Sequence, residues 1–559
     1  MVILSLTIFF SLAFFSQKKK SITVDEFAHL PAGYYYLKTG DFRLYAQNPP
    51  LVKMLQALSW LRANPSLEKD ISRFFRFGWL PWIYGTDFML RNKTSYLDLF
   101  EKGRAVEIFL GVLLGASLYL FSRRYYGIKG AWISLIVFCL SPNLLAHTRI
   151  ATPDIGFSWF MFLAIFSFLK YLKKPGWLKA LVCGIFLGLT QLGKFTGLLI
   201  LPFYFLAPVL AWIFSAQEKS GKNFLKRIGE LAGILLVMSL IICAGYGFKG
   251  VFKKTAEYKF HSQGLKKVQK IFAPLPAPFP EIYLYGLDLQ MRNVEQGEFA
   301  NYLLGRWYRG VSKKYFLVAL LVKVPVPVQI LFVWGLALGI FRKRARLRKE
   351  EIFILAVLFW VFMLFSLKNK LQIGVRYLVP FFPLAFFLLG RVGEMAFSSK
   401  IQRAVLILLL VWLFVETLWI YPDYLSYFNQ YCGGPKNGHK VLLDSNLDWG
   451  QDLPALKEFM NKNQIEKIEL AYFGHILPEL YGIDYQVLGE EPRLKYSAVS
   501  VQFLVGAGYF YYPLLYHQPE KILKNFNKPV IIPAPVLKSY LNKKPTARCG
   551  YSIWVFEND

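Results

Sequence analysis

Asp25 and Glu26 are adjacent carboxylates set just beyond an apolar N-terminal run, in "SITVDEFAHLPAGYYYLKTGDFRLYAQNPPLVKML" (21–55). Phe27, Tyr34, Tyr35 and Tyr36 crowd around them. A carboxylate held beside apolar surface is driven toward its neutral form, which suits a general base. The plain alternative is a solvated pair of acids at a helix end. A further acid, Asp154, stands in "SPNLLAHTRIATPDIGFSWF" (141–160), close in sequence to His147 and Arg149. Thr152-Pro153 can open a helix there, so Asp154 also reads as an acid in a first helical turn, where the dipole favours it. Brought together, Asp25 and Asp154 would form a carboxylate pair able to hold a hydroxyl acceptor or a metal. Cations recur at the ends of apolar runs: Lys194 in "LGKFTG", Arg376 in "LQIGVRYLVPFFP", Arg306 and Arg309 in "LLGRWYRG", and Lys323 in "LLVKVPVPV". Each could simply snorkel to a membrane interface. Joined with Arg149, they could instead form a basic pocket for a lipid phosphate.

The elements that must position these residues are mostly membrane spans. Of 559 residues, 55% are hydrophobic and only 18% charged, and apolar runs of spanning length recur through the first three quarters of the chain. About eleven helical spans are expected, near 2–16, 105–122, 130–146, 155–172, 178–192, 196–214, 228–249, 316–341, 351–367, 378–397 and 402–421. A lysine at mid-bilayer is costly, so 178–214 reads as two short helices hinged at Gly193-Lys194. The net charge of +31 comes from short basic clusters between apolar runs. Such clusters are topology signals and lipid-headgroup contacts, not a nucleic-acid surface.

Every second loop is basic, including "RKRARLRK" (342–349), which assigns those loops to the cytoplasm. The first loop (17–104), the 250–315 loop and the C-terminal tail then face outward. Lys18, Lys19 and Lys20 are the misfit in this scheme. In the first loop, Asn48 can cap a helix opening at Pro49. That helix carries Leu51, Leu55 and Leu58 on one face and should lie in the membrane interface, with Lys53 and Gln56 off the apolar face. Residues 1–421 are expected to form the membrane domain and 422–559 a compact extracytoplasmic α/β domain. Its strands are expected at "KVLLD", "IEKIELAYF" and "SAVSVQFLVG", and a helix at "DLPALKEFMNKN". The five cysteines show no metal-ligand spacing, so no structural metal site is expected. Cys432 and Cys549 fall in the exported part, where a disulfide and two free thiols are both open.

"TVDEFAHLPAGYYYLKTGDFRL…NPPLVKML", "SPNLLAHTRIATPDIGF", "LGKFTGLLILP", "LQIGVRYLVPFFPL" and "DSNLDWGQDLPALKEF" together resemble the bacterial lipid-carrier-dependent glycosyltransferases. These are similar to protein O-mannosyltransferases and lipid A aminoarabinose transferases, in the C-type glycosyltransferase superfamily. The resemblance implies a polytopic α-helical membrane protein of that fold, in the bacterial inner membrane. It implies transfer of a sugar from a polyprenyl-phosphate sugar to an acceptor lipid, glycan or protein on the extracytoplasmic side, with inversion. Asp25 would be the general base, Glu26 would help hold the acceptor, and Asp154 would be the second acid. Lys194 and Arg376 would face the carrier phosphate, with Tyr377, Arg149, His147 and Lys53 completing the lipid-phosphate and sugar site. No cofactor is required on this reading, although a divalent cation stays open. The bilayer is the remaining partner, and nucleic acid is not one. A lipid-linked glycan ligase or polymerase is the nearest alternative. A secondary transporter would show paired halves with acids at mid-bilayer, which this chain does not.

Overall fold

The computed structural model describes residues 1–558 apart from 76–79, 215–220, 298–299, 342–345, 396–398, 490–492 and 507–533. Lys219, a basic residue following the expected span 196–214, and the first four residues of the basic run 342–349 therefore lie outside the described residues. Helix α1 (Val2–Gln17) is followed by a first loop that folds into α2 (Glu26–Thr39), α3 (Leu51–Ala57) and α4 (Leu80–Arg91). Then come α5 (Tyr96–Cys139), α6 (Pro142–Thr148), α7 (Asp154–Lys173) and α8 (Trp177–Gly193). Six helices among the described residues are long and apolar enough to cross a membrane, or up to eight if each bent pair is one span. The chain is thus a multi-pass membrane protein.

The expected count of about eleven differs from this for definite reasons. Two expected spans run together in α5, where Gly127 breaks the helix at φ 69°. The runs near 196–214 and 316–341 bend by 60° and 109°. Helices α1 and α8 are shorter than a full span. The bend in 316–341 falls at Pro325, where helix Tyr315–Lys323 ends and Val326–Phe341 begins. Proline lacks the N–H that would continue the ladder.

Two corrections concern the first loop. Helix α3 starts at Leu51 after Pro50, and Asn48 makes no cap; its carbonyl instead accepts from Lys53 Nζ at 2.8 Å. The polar face of α3 points inward. Lys53 and Gln56 are fully buried, whereas Leu58 is exposed. This inversion is the pattern of a helix whose outer surface meets lipid. Helix α2 crosses α3 so closely that a Cβ at Gly33 would overlap the Lys53 carbonyl.

The C-terminal part contains a mixed five-stranded sheet in the order β2 (Asp484–Val487), β1 (Lys467–Ala471), β3 (Tyr496–Ser500), β5 (Ile553–Glu557), β4 (Ala547–Cys549). Strand β1 is parallel to β2 and β3, while β5 is antiparallel to β3 and β4. "DLPALKEFMNKN" forms helix Leu453–Lys462. "KVLLD" is not a strand: 3-10 turns at Pro435–Lys440 and Asp444–Asn446 occupy its ends. Cys432 and Cys549 are both free thiols.

Segment 447–453 joins this sheet to the membrane part. The Ser21 N–H donates to the Gln451 carbonyl at 2.8 Å and the Val24 N–H to the Trp449 carbonyl at 3.1 Å. Ser21 Oγ donates to the Gly450 carbonyl at 2.7 Å. Lys20 explains the charge misfit at 18–20. It is buried and ion-paired with Asp452 at 2.5 Å and with Asp423, so it serves packing rather than topology. Removing one partner of a buried pair typically costs about 3–5 kcal/mol, because the remaining charge stays buried. Lys20→Met is therefore expected to lower the melting temperature of the detergent-solubilised protein sharply. An exposed control, Lys18→Met, is expected to leave it within about 0.5 kcal/mol of wild type. Thermal unfolding of the two variants checks this.

Candidate active site

The site is assembled from chain segments that meet at the N-terminal ends of α2 and α7. Asp25 precedes the first residue of α2. Its Oδ2 accepts a hydrogen bond from Arg376 Nη1 at 2.5 Å, in a pair whose side chains are 17% and 13% exposed. The pair thus opens to solvent or substrate without being free in water. The sequence suggested a carboxylate surrounded only by apolar groups; the structure gives it a guanidinium.

Arg376 stands in a 3-10 turn (Val375–Tyr377) whose N-terminal side the C-terminal segment grips. The Val375 N–H donates to Asn446 Oδ1 at 2.9 Å, and Ser445 Oγ donates to the Ile373 carbonyl at 2.7 Å. The guanidinium lies 4.4 Å over the Trp449 ring and 5.5 Å from the Tyr377 ring. An arginine stacked in this way keeps its planar fork oriented toward an anion.

A second acid–cation pair lies alongside. Asp154 opens α7 and accepts from Lys194 Nζ at 2.5 Å. Lys194 sits where α8 stops, with extended backbone between α8 and a following 3-10 turn. Its ammonium is 6.0 Å from the Tyr377 ring, so Tyr377 stands between the two cations. Thr152 Oγ1 also donates to Asp154 at 2.9 Å. The structure thus brings Asp25, Asp154, Lys194, Arg376 and Tyr377 into one region.

Lys53, on α3, is fully buried; its amino group donates to the carbonyls of Asn48 (2.8 Å) and Tyr45 (3.2 Å) and lies 4.5 Å over the Tyr45 ring. It is thus turned to the backbone of the first loop, contrary to the phosphate-facing position expected for it. His147 is buried beside Trp449, within electrostatic reach of Asp154, Arg376 and Lys194, and burial pushes it down to about 4. It is a neutral imidazole at pH 7.

Glu26 and Arg149 take up positions other than those expected. Glu26 is fully buried. Arg104 grips its two oxygens at 2.6 and 2.7 Å, the Ala151 N–H donates to it at 2.8 Å, and the Thr23 N–H and hydroxyl each do so at 2.9 Å. With both oxygens engaged, it anchors the loop and does not face an acceptor. Burial alone would raise its carboxyl, but Arg104 and the two backbone donors hold it below 4.5. Arg149 donates to the Pro422 carbonyl at 2.5 Å and lies 5.6 Å from the Tyr424 ring, beside the Lys20 cluster. It braces the C-terminal segment and is not part of the Asp25–Arg376 pair.

Sequence reasoning passed over several contributors. His29 lies one helical turn after Asp25, stacks on Tyr45 at 4.9 Å, and feels Lys53, Asp154, Lys194 and Arg376. The four-residue spacing from Asp25 was the available signal. Glu107, in α5, accepts from Gln56 at 2.7 Å and from the Ile155 and Gly156 N–H groups at 3.1 and 3.0 Å. It thereby fixes the start of α7 under Asp154. Within an apolar run, nothing marked its partners.

Residues 96–245 match the family model of the dolichyl-phosphate-mannose-protein mannosyltransferases. The chain is similar to the phospholipid-carrier-dependent glycosyltransferases. The matched stretch carries Arg104, Asp154 and Lys194, while Asp25 and Arg376 lie outside it. An uncharacterized protein of Aquifex aeolicus (strain VF5) is 24% identical over 418 residues, spanning 70% of this chain and 73% of that protein. Among solved structures, ArnT from Cupriavidus metallidurans bound to undecaprenyl phosphate aligns with a TM-score of 0.47 at 13% identity, covering 99% of this chain and 97% of that one. The Archaeoglobus fulgidus oligosaccharyltransferase AglB, in complex with an inhibitory peptide and a dolichol-phosphate, aligns at 0.44 and 11% identity, over 90% and 70% of the two chains.

Glu26 and Asp25 are expected to separate in their effects. Glu26→Gln leaves Arg104 buried without its counter-charge, so it should cost stability, up to about 3–5 kcal/mol. Asp25→Asn, at the open pair, should leave the melting temperature near wild type. A folded pKa below 4.5 stabilises the protein above that pH. This contribution is lost as the pH falls below 4.5 and through the folded value. Unfolding followed from pH 7 downward should therefore show a steeper acid loss in wild type than in Glu26→Gln.

Proposed function

We propose that the protein is a membrane glycosyltransferase that moves a sugar from a polyprenyl-phosphate sugar to an acceptor hydroxyl, with inversion at the anomeric carbon. The observation that carries this reading is the pairing of an acid with a cation twice over in one region, Asp25 with Arg376 and Asp154 with Lys194. An acid–cation site of this kind offers a base for a hydroxyl and fixed positive charge for a phosphate. The family match over residues 96–245 supports the donor class.

In this mechanism Arg376 and Lys194 hold the carrier phosphate, and Arg376 turns part of its fork from Asp25 to phosphate oxygen. Asp25, released from one strong hydrogen bond, accepts the acceptor hydroxyl proton. The acceptor oxygen attacks the anomeric carbon from the face opposite the phosphate. The bond between that carbon and the phosphate oxygen breaks, and its electron pair leaves with the polyprenyl phosphate. The two cations stabilise the leaving group, so on this reading no metal is needed for charge neutralisation. Asp154 keeps Lys194 oriented. Glu26 stays out of the chemistry and sets the position of Asp25. We place the site and residues 422–559 on the extracytoplasmic face of the bacterial inner membrane, because the basic loops alternate. The acceptor is a lipid, glycan or protein hydroxyl.

Asp25→Asn is expected to lower turnover of a polyprenyl-phosphate sugar by about 10²–10⁴, the usual range for a lost general base, with donor binding kept. Arg376→Ala is expected to weaken carrier binding far more than Arg403→Ala, since Arg403 lies in the first turn of helix Lys400–Trp419 on the assigned cytoplasmic side. Donor binding and single-turnover transfer in nanodiscs test both. Near-normal turnover in Asp25→Asn, or equal binding loss in the two arginine variants, rejects the assignment.

A further inference from the structure

The loop that follows the apolar helix Asn223–Gly245 carries an element that sugar transfer does not use. Between positions 249 and 270 stand seven lysines and one acid, Glu257. Helix Gln263–Phe272 closes that stretch and has two faces. On one, Leu265 joins Tyr258, Phe260 and Ala277 in a small apolar core, and Gln269 donates to the Thr255 and Tyr258 carbonyls at 2.9 and 2.7 Å. Those contacts occupy the packing face. Val268, Ile271 and Phe272 fall at i, i+3 and i+4 on another face and stay exposed, Ile271 at 72%, with exposed Leu275 just beyond. Lys266, Lys267 and Lys270 are exposed too, and their ammonium groups have no protein partner among the described residues. Segments 252–256 and 273–277 pair antiparallel: the Phe252 N–H donates to the Ala277 carbonyl and the Thr255 N–H to the Leu275 carbonyl, both at 3.0 Å. This sets Phe252, 68% exposed, alongside the segment that carries Leu275. Phe252 takes a left-handed backbone at φ 64°, which a bulky residue rarely adopts. The hairpin is fastened to the membrane helix itself, where Ser239 Oγ and Cys243 Sγ donate to the Pro278 carbonyl. Lys249 Nζ donates to the Gly40 carbonyl at 2.7 Å, which puts the hairpin at the same end of the bundle as the first loop.

We propose that residues 252–275 dock on the surface of the bilayer and bind anionic phospholipid. Phe252, Val268, Ile271, Phe272 and Leu275 enter the boundary between headgroups and acyl chains, while Lys266, Lys267 and Lys270 meet the lipid phosphates. A helix with one face already packed, and an apolar stripe flanked by unpaired lysines on the other, has the pattern of an interfacial helix. Lysines close to an anionic lipid surface are drawn to it, each adding to the hold of the buried apolar groups. The bonds from Ser239 and Cys243 bring this stripe to the end of a helix that is already in lipid. Charge decides against a second copy of the chain as the occupant. A facing copy would present the same lysines, and like charges brought together repel.

The test is hydrogen exchange of the full-length protein in nanodiscs holding one protein each, made of phosphatidylcholine alone or mixed with phosphatidylglycerol. In wild type, peptides from 263–275 are expected to exchange about tenfold more slowly when phosphatidylglycerol is present. Raising the ionic strength should erase that difference, because salt screens exposed charges. Lys266→Glu, Lys267→Glu and Lys270→Glu combined should abolish it, with unchanged exchange in strand β1 as the sign of an intact fold. Ile271→Ser with Phe272→Ser should speed exchange of the same peptides in both lipid mixtures. Equal exchange with and without phosphatidylglycerol in wild type overturns the proposal. A difference that survives high salt, or exchange that the serine variant leaves unchanged, overturns it as well. Protection that appears only when two proteins share a disc would make this face a contact between copies and reject lipid as the occupant. No sugar donor is present, so the outcome is separate from that of the transfer reading.

Discussion

Glu26 has no access to water, and that constraint organises the site. A carboxylate can be buried only when opposite charge and hydrogen bonds replace its hydration; otherwise the cost is several kcal/mol. Arg104 from α5, the Ala151 N–H ahead of α7 and the Thr23 N–H and hydroxyl meet this demand together. Arg104 is itself buried and donates onward to the carbonyls of Lys20 and Ser21 at 3.0 and 2.8 Å. Satisfying one anion thus locks the start of the first loop, the N-terminal part of α5 and the turn into α7 against one another. Asp25, one residue earlier, inherits a fixed position without having to hold anything itself. That leaves its carboxylate to meet Arg376 at the edge of the buried region, where chemistry is accessible.

The C-terminal segment extends the same logic to the cation. Arg376 lies in a turn with no long helix of its own, and the turn is shaped by Ser445 and Asn446 and covered by Trp449. The same segment pairs with Ser21 and Val24 beside Asp25. Both halves of the Asp25–Arg376 pair are therefore held by residues 445–451. Lys323 reinforces the junction by donating to the Leu425 and Asn446 carbonyls at 2.8 and 2.6 Å, a staple made by a buried ammonium without a carboxylate. The soluble-looking part is a structural component of the site and not an appendage to a finished membrane enzyme.

At the other ends of the helices the polar contacts are structural. Glu351 opens helix Lys349–Lys368, a full helix length from the Arg376 turn, and is ion-paired with Arg391 and accepts from Tyr126 at 2.7 Å. Glu230 accepts from Tyr171 at 2.9 Å and pairs with Arg227. These groups tie neighbouring helices together where the sequence showed only basic clusters. Buried polar pairs of this kind are satisfied within the bundle because lipid offers no partner.

The sequence by itself determined the membrane class, most helix positions and which acids and cations to ask about. Apolar length and the scarcity of buried charge are one-dimensional properties, so they survive without coordinates. Asp25, Asp154, Lys194 and Arg376 could be picked out because each is a charge beside an apolar run, and such charges are costly without a role. Which charge meets which was decided only by tertiary structure. Nothing local distinguishes Glu26 from Asp25, yet Arg104, 78 residues away in sequence, buries one and leaves the other open. Arg149 looked as suitable for phosphate as Arg376, but the Pro422 carbonyl and the Tyr424 ring claim it. "KVLLD" had strand composition, yet the need to grip the Arg376 turn folds its end into a 3-10 turn. Charge pairing acts through space between segments 40, 78 or 351 residues apart, and no spacing rule within the chain encodes it.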